Sequence, residues 1–377
     1  MKKILLALTA LFAVATSASA QSVWKMVITH NDGTRDTIAA SNVKNVTFAS
    51  TTLEDRNADQ VIIKELYVGG CPKDEGTGYF QMDKGFVLYN NCPQQAVVNN
   101  LAVGQVDPAN AHANNGWYEN DKLTYADQGW IPAIYGIWYF QEPLVIEPYS
   151  QIVVSCMGSI DNTKTYSQSV NYANPAYYAM YDPESGYNNT AYYPTPADVI
   201  PTSHYLKAVE YGQGNAWPLS VMCPAFVIFQ TKGVSPAEFA NNADNYTYMP
   251  GQKQDQVHRC VKIPNSWILD GIEVWQTSKV SASVKRLTDD VDAGHVNLTN
   301  RKGHSLYRNV DKAATLALPE NEGKLVYGYA LGVDGSTDPS GIDAEASIKN
   351  GAHIVYQDNN NSTQDFHERQ KFSVRGE

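Results

Sequence analysis

VIIKELYVGGCPKDEGTGYFQMDKGFVLYNNCPQQAVVNNLAVGQV, residues 61–106, is the stretch from which the fold class of this 377-residue chain is read. Ile62, Ile63, Leu66, Tyr67 and Val68 make one β-rich run, closed by Gly69-Gly70. Phe86, Val87, Leu88 and Tyr89 make a second, closed by Asn90-Asn91, and Leu101, Ala102 and Val103 open a third. β-Branched and aromatic residues bounded by glycine and asparagine are strand signals. Lys64 and Glu65 break into the first run, where a charge has to face water or find a partner. A catalytic carboxylate at Glu65 is the sharper reading. A paired or edge-facing strand residue is the commoner one, and is preferred.

Outward from this stretch the chain stays strand-like. Residues 151–155, 225–229 and 324–329 each read as one strand, and 267–275 as one or two. Ser235-Pro236-Ala237-Glu238-Phe239 is the helical signal, with serine at the N-cap, proline at N1 and glutamate at N3. Many short strands separated by turn chemistry predict a mainly β sandwich.

Composition sets the class. Hydrophobic residues are 43% and charged residues 18%, an ordinary globular balance, and the formal charge is -11. Phosphates need Lys and Arg to neutralise them, so this acidic balance argues against nucleic acid and anionic membrane surfaces as partners. At the N-terminus, MKK, the apolar ILLALTALFAVA and Ala18-Ser19-Ala20 read as an export signal over 1–20, with the mature chain starting at Gln21. No later run is apolar enough over 18 residues to span a membrane. The expected location is the periplasm, the outer-membrane surface or the exterior. Cys71, Cys92, Cys156, Cys223 and Cys260 thus face a disulfide-permissive compartment, and an odd count leaves at least one unpaired. Cys71 and Cys92 fall at opposite ends of the first predicted hairpin, roughly 20 Å apart, which is beyond disulfide reach. No C-x-x-C spacing points to zinc.

In residues 21–49, Trp24, Met26 and Ile28 alternate with polar positions. Asn31-Asp32-Gly33 is a hairpin turn, and Thr37-Ile38 restarts a strand. With Val46-Thr47-Phe48 at its end, this unit resembles a short N-terminal β module of exported Bacteroidota proteins. Residues 50–59 read as a linker, and 60–377 as the main domain. Within that domain, "IIKELYVGG" and "DKGFVLYNNC" resemble the opening of a Bacteroidota family of unknown function related to the lamin-tail domain. "RKGHSLYRN" (301–309) and "YQDNNNSTQDF" (356–366) resemble two later signatures, with Gln357 where the family usually has threonine. The resemblance covers about 59–377. It implies an immunoglobulin-like, lamin-tail-like β-sandwich elaborated by long loops, and it brings no catalytic residues.

The long loops carry the functional expectation. Residues 107–142 hold Trp117, Tyr118, Trp130, Tyr135 and Trp138, and residues 161–205 hold nine tyrosines, Tyr178 and Tyr192 among them. Such rings bury rigid area at low entropic cost and stack on sugars. The alternative for each ring is packing onto the sandwich. Asp289, Asp290 and Asp292 are weak calcium candidates, since hard cations want several oxygens on a flexible loop, but they match no calcium-loop pattern and read first as solvated turns. Other cofactors are not indicated. Eight scattered histidines lack ligand spacing, and no hydrolase, protease or nucleotide motif is present. His304-Ser305 invites a hydrolase reading that a turn explains equally well. The expectation is therefore an exported, non-enzymatic binding protein of the cell envelope. It is read first as an accessory partner of outer-membrane uptake machinery, alternatively as a carbohydrate-binding module, and last as an uncharacterised hydrolase.

Overall fold

A computed structural model of the chain describes residues 24–29, 34–46, 53–212 and 214–376. The export signal over 1–20, Gln21, the Asn31-Asp32-Gly33 turn, Thr47-Phe48 and residues 50–52 of the linker lie outside the described residues. The chain divides into two compact units, 1–51 and 52–377. In the first, strands Lys25–Thr29 and Arg35–Ala39 pair antiparallel, with Lys25 opposite Ala39. Val27, Ile28 and Ile38 on this two-stranded ladder are exposed.

In the second unit a single sheet carries twelve strands. They are β1 (Val61–Tyr67), β2 (Lys84–Asn90), β3 (Leu101–Gln105), β4 (Gly136–Tyr139), β5 (Gln151–Met157) and β6 (Tyr178–Met180). They continue with β7 (Tyr205–Glu210), β8 (Ala225–Gln230), β9 (Ile268–Gln276), β10 (Val296–Leu298), β11 (Ser305–Arg308) and β12 (Phe366–Arg369). Their spatial order is β10-β9-β8-β3-β4-β7-β6-β5-β2-β1-β11-β12. Neighbours are antiparallel except at β5–β6, β6–β7 and β9–β10. The three runs of 61–106 are β1, β2 and β3. β1 and β2 pair with each other, while β3 pairs with β4 and β8.

The sheet curls until its halves face each other. Phe86 of β2 meets Phe226 of β8 with ring centroids 5.1 Å apart, although five strands lie between these two in the order. Val61, Ile63, Leu66, Leu88, Val103, Trp138, Ile228 and Ile272 fill the space between the halves as one core. Outside, Val227, Phe229 and Ile137 are covered by a small sheet of Trp130–Ile134, Arg259–Pro264 and Tyr246–Tyr248, and by helix α1 (Pro236–Asn241). α1 starts at the expected capping box of Ser235 and Glu238. Three further short helices, α2 (Lys312–Leu316), α3 (Ala344–Lys349) and α4 (Ser362–Asp365), are capped by Asp311, Asp343 and Asn361.

The seam where the sheet nearly closes is made by side chains. A bulge at Lys64 in β1 lets Lys64 and Glu65 both turn out of the core. The Ile63 N–H donates to Asp270 of β9 (2.6 Å), and the Ile63 carbonyl accepts from Arg308 of β11 (2.8 Å). Arg308 and Asp270 also pair with each other. One turn of chain further, the Thr299 N–H after β10 donates to Glu368 of β12 (2.7 Å). Lys64 finds Glu345 of α3 (2.6 Å) and sits among the rings of Tyr89, Tyr307 and Tyr356.

The expectations are met at the coarser level. The chain is mainly β, and 151–155, 225–229 and 267–275 are strands of the large sheet. Where a two-sheet sandwich was expected, the two facing layers belong to one hydrogen-bonded sheet. Residues 324–329 are not a strand: Gly328 turns to φ +87, and only Tyr327 bridges, to Ile342. All five cysteines are free and buried. Among the described residues no helix is long and apolar enough to cross a membrane.

Candidate binding groove

A groove of about 650 Å³ lies between the 115–127 loop, the end of β9 and the 283–290 loop. Its first wall is built on an aromatic cluster. Trp117 donates its Nε1–H to Asp107 (2.7 Å) and packs edge-on against Tyr125 and Trp130, with centroids at 5.6 and 6.1 Å. Tyr125 stacks on Trp130 at 5.5 Å and donates its hydroxyl to the Arg286 carbonyl (2.6 Å). On this base a tight hairpin pairs Tyr118 with Leu123. Its central residues, Asn120 and Asp121, take φ of +50 and +61, the left-handed conformations that a two-residue turn of this kind needs. The hairpin leaves Tyr118 38% exposed at the groove.

The opposite wall is Trp275, the penultimate residue of β9. His295 stacks on it at 3.6 Å and 14°. Burial lowers the His295 pKa, which favours a neutral imidazole. The Trp275 Nε1–H is buried without a partner among the described residues. The 283–290 loop is held from beneath by the buried Arg286, which pairs with Glu273 (2.6 Å) and donates to the Pro108 carbonyl (2.9 Å). Leu123, Val284 and Leu287 form the apolar lining, and Asp121, Lys122, Asp127, Lys285, Asp289 and Asp290 the polar one. Lys122 pairs with Asp127, and Lys285 with Asp289 (2.9 Å). Burial works to raise the Asp290 carboxyl, but hydrogen bonds from Thr288 and Asn265 outweigh it and hold it below the usual range. Two rings with acceptor-rich edges suit an uncharged, polyhydroxylated ligand better than an anion.

Of the seven aromatic candidates, Tyr118 enters this groove. Trp117 is 4% exposed and Trp138 0%, the latter stacked on Tyr187 at 5.7 Å in the central core. Trp130 completes the supporting cluster. Tyr135 is half-buried at φ +72, its carbonyl accepting from the Tyr211 and Gly212 N–H groups (3.2 and 2.7 Å). Tyr178 stacks on His204 at 4.2 Å, and half-buried Tyr192 lines a different cavity. Trp117 and Trp138 are thus packing residues: each ring has its apolar faces covered, and Trp117 has its one donor satisfied internally. Sequence reading missed Trp275. Its signal was its place as the last large apolar residue of the 267–275 run before a polar Gln276-Thr277-Ser278 segment.

The acidic and nucleophilic candidates are absorbed by the scaffold. Asp289 and Asp290 belong to the groove wall. Asp292 is buried and accepts from the N–H groups of Glu273 (2.9 Å), Gly294 (2.9 Å) and Ser362 (2.7 Å), tying β9 to α4. Among the described residues no three of His, Cys, Asp and Glu are grouped to hold a metal ion. Glu65 is fully buried. It accepts from the Ser305 hydroxyl and the Ser373 N–H (3.1 Å) and lies 3.7 Å from Arg369. Burial raises its carboxyl against the pull of Arg369. His304 turns to Glu368 (2.7 Å), so His304 and Ser305 address different carboxylates and do not form a dyad.

The family described as Protein of unknown function (DUF4876) matches residues 147–328, from the start of β5 past β11. The fold is similar to that of the crystal structure of a DUF4876 family protein from Bacteroides thetaiotaomicron VPI-5482. That match has 18% sequence identity and a TM-score of 0.57, and covers 91% of this chain and 80% of that one. At this identity the likeness concerns the fold alone. No curated protein matches the chain.

Proposed function

We propose that this is an exported, non-enzymatic binding protein of the cell envelope, and that it holds a saccharide in the groove between Tyr118 and Trp275. The observation that carries the reading is Trp275: a ring backed by His295, with an unpartnered indole N–H, sharing its groove with an exposed tyrosine and several carboxylates. Sugar rings stack on such faces, and the carboxylates accept from hydroxyl groups. Asp127 and Asp289 pair with lysines, and hydrogen bonds hold the Asp290 carboxyl below its usual range, the opposite direction from the raised acid that glycoside hydrolysis requires. The export signal read over 1–20 supports the location.

The test is calorimetric titration of the full chain with soluble polysaccharides and their oligosaccharides. Tyr118→Ala should weaken binding on the order of tenfold while leaving the melting temperature within about 1 °C. Trp275→Ala should abolish it. Unchanged affinity in Tyr118→Ala would move the site elsewhere, and turnover of the glycan would overturn the non-enzymatic reading.

A second reading, a partner of outer-membrane uptake machinery, is favoured by Val27, Ile28 and Ile38, which lie exposed on a two-stranded ladder that cannot bury its own faces. A pull-down from solubilised envelope that succeeds with the full chain and fails with Val27→Ser/Ile28→Ser/Ile38→Ser would establish it. We also propose the lamin-tail-like ancestry. It is supported by the placement of the "ELY", "LYNN", "SLYR" and "DF" segments on adjoining strands β1, β2, β11 and β12.

A further inference from the structure

A second cavity, of about 400 Å³, is lined in part by Gln81, Asn110, Tyr192, Asn215, Trp217 and Ser220, and shares no lining residue with the Tyr118–Trp275 groove. Lys84, the first residue of β2, also lines it and is only 3% exposed. Its ammonium donates to the Leu219 carbonyl (2.5 Å). That carbonyl is its one hydrogen-bond acceptor among the described residues, and no carboxylate there pairs with it. The ionisable group acting on it is Cys156 of β5, whose thiol burial pushes up to about 12, so it remains neutral and supplies no counter-charge. A buried ammonium normally has an anion beside it, because desolvation without one is costly.

The other groups around the cavity share this deficit of acceptors. The Trp217 Nε1–H is buried with no partner among the described residues. Gln105 lies behind the wall: its side-chain carbonyl accepts from the Ser220 N–H (2.8 Å), while its Nε2–H₂ is buried with no partner. Buried donors left unmade are uncommon in a native fold, and here they accompany an unpaired cation at an opening of ligand size. These donors are complementary to an anion that accepts hydrogen bonds. The amides of Gln81, Asn110 and Asn215 and the ring of Tyr192 add places for hydroxyl groups and for an apolar ring face.

We propose that this cavity binds the carboxylate of a small hydroxylated acid, with Lys84 as the counter-ion and Trp217 as a donor, and that a hexuronic acid is the class that fits. This site stands independently of the groove reading.

The experiment is calorimetric titration of the full chain at pH 7 with glucuronate, galacturonate, glucose and acetate. A uronate should bind at one site. Glucose, lacking the charge, and acetate, lacking the hydroxyls, should each bind on the order of tenfold or more weakly. Lys84→Met should lose the preference for uronate over glucose, and Trp217→Phe should weaken uronate binding while keeping that preference. The unmodified chain supplies an arm that needs no variant. Burial draws the Lys84 ammonium down to about 8, so uronate affinity should fall steeply between pH 7 and pH 9.5, a range in which Cys156 stays protonated. Equal binding of glucose and uronate, undiminished preference in Lys84→Met, a flat pH profile, or no binding of either uronate would each overturn the proposal.

Discussion

Replacing Asp270 with alanine tests the account of the sheet seam. Asp270 serves three partners: Arg308, the Ile63 N–H at 2.6 Å and its neighbour Gly271 N–H at 2.7 Å. Removing one member of a buried ion pair costs about 3–5 kcal/mol, because the other charge stays buried. An orphaned buried N–H adds about 1–3 kcal/mol. Against this, Arg308 keeps Asp358 at 3.2 Å, which is one-third exposed, and Asp365 at 3.9 Å. The balance is a loss of about 4 kcal/mol. An unfolding entropy of about 2.1 cal/mol/K for each of roughly 330 residues in the unit 52–377 amounts to about 0.7 kcal/mol/K, so the melting temperature should drop by about 6 °C. Urea unfolding followed by tryptophan fluorescence gives the free energy directly. The companion variant Asp270→Leu/Arg308→Met removes both charges and should recover at least about 2 kcal/mol of the loss. A loss below about 1 kcal/mol in Asp270→Ala would refute the claim that this pair closes the seam.

Three further outcomes are expected. Asp83 accepts from the Tyr67 hydroxyl (2.6 Å) and the Val170 N–H (3.1 Å), and burial raises its carboxyl to about 6. Its stabilisation is therefore whole below pH 3.8 and lost as pH rises through 6, about 3 kcal/mol in all. Asp83→Asn should flatten that part of the urea-midpoint profile between pH 4.5 and 7, and identical slopes would count against it. Lys84, drawn down to about 8, contributes stability that is whole above pH 10.5 and lost as pH falls through 8. Lys84→Met should therefore gain about 1–2 kcal/mol at pH 7 and nothing at pH 10.5, read by thermal melts at both. A Cβ on Gly294 would stand 2.2 Å from Asn361 Oδ1 and 2.6 Å from the Thr363 N–H, so Gly294→Ala should cost about 2–3 kcal/mol in the same melts.

The sequence revealed elements far better than partners. The runs at 61–67, 86–89 and 225–229 are strands because their composition suits a pleated, buried surface whichever neighbours they find. Nothing in those runs says that β3 joins β8 and β4 instead of β2, so one curled sheet and a two-sheet sandwich look alike at that level. Glu65 shows the same limit. Its need for a partner was legible, but Ser305 and Ser373 lie 240 and 308 residues away. Among the rings, Trp117 and Tyr118 are adjacent and chemically alike. Asp107, positioned to accept from the first, decides which one is buried. Lys84 stood in plain view beside Gly85-Phe86-Val87, yet a lysine at the start of a strand reads as solvated until the absence of a counter-ion is seen in space.

The seam also fixes an order of events in time. β1 is among the earliest strands of the main unit, yet it is flanked by β11, and its Glu65 is satisfied by Ser373, four residues from the end of the chain. β2 can pair with β1 as soon as both exist, but the other edge of β1 stays open until residues beyond 305 arrive. Loop closure over such a span is paid before any contact rewards it, which makes this a slow-folding topology. Until that closure one edge of β1 stays open, and Lys64 and Glu65 have not met Glu345, Ser305 and Ser373. Residues 366–376 act as the latch: without them β11 would still lie beside β1, but β12 would be gone and Glu65 would lose Ser373 and Arg369.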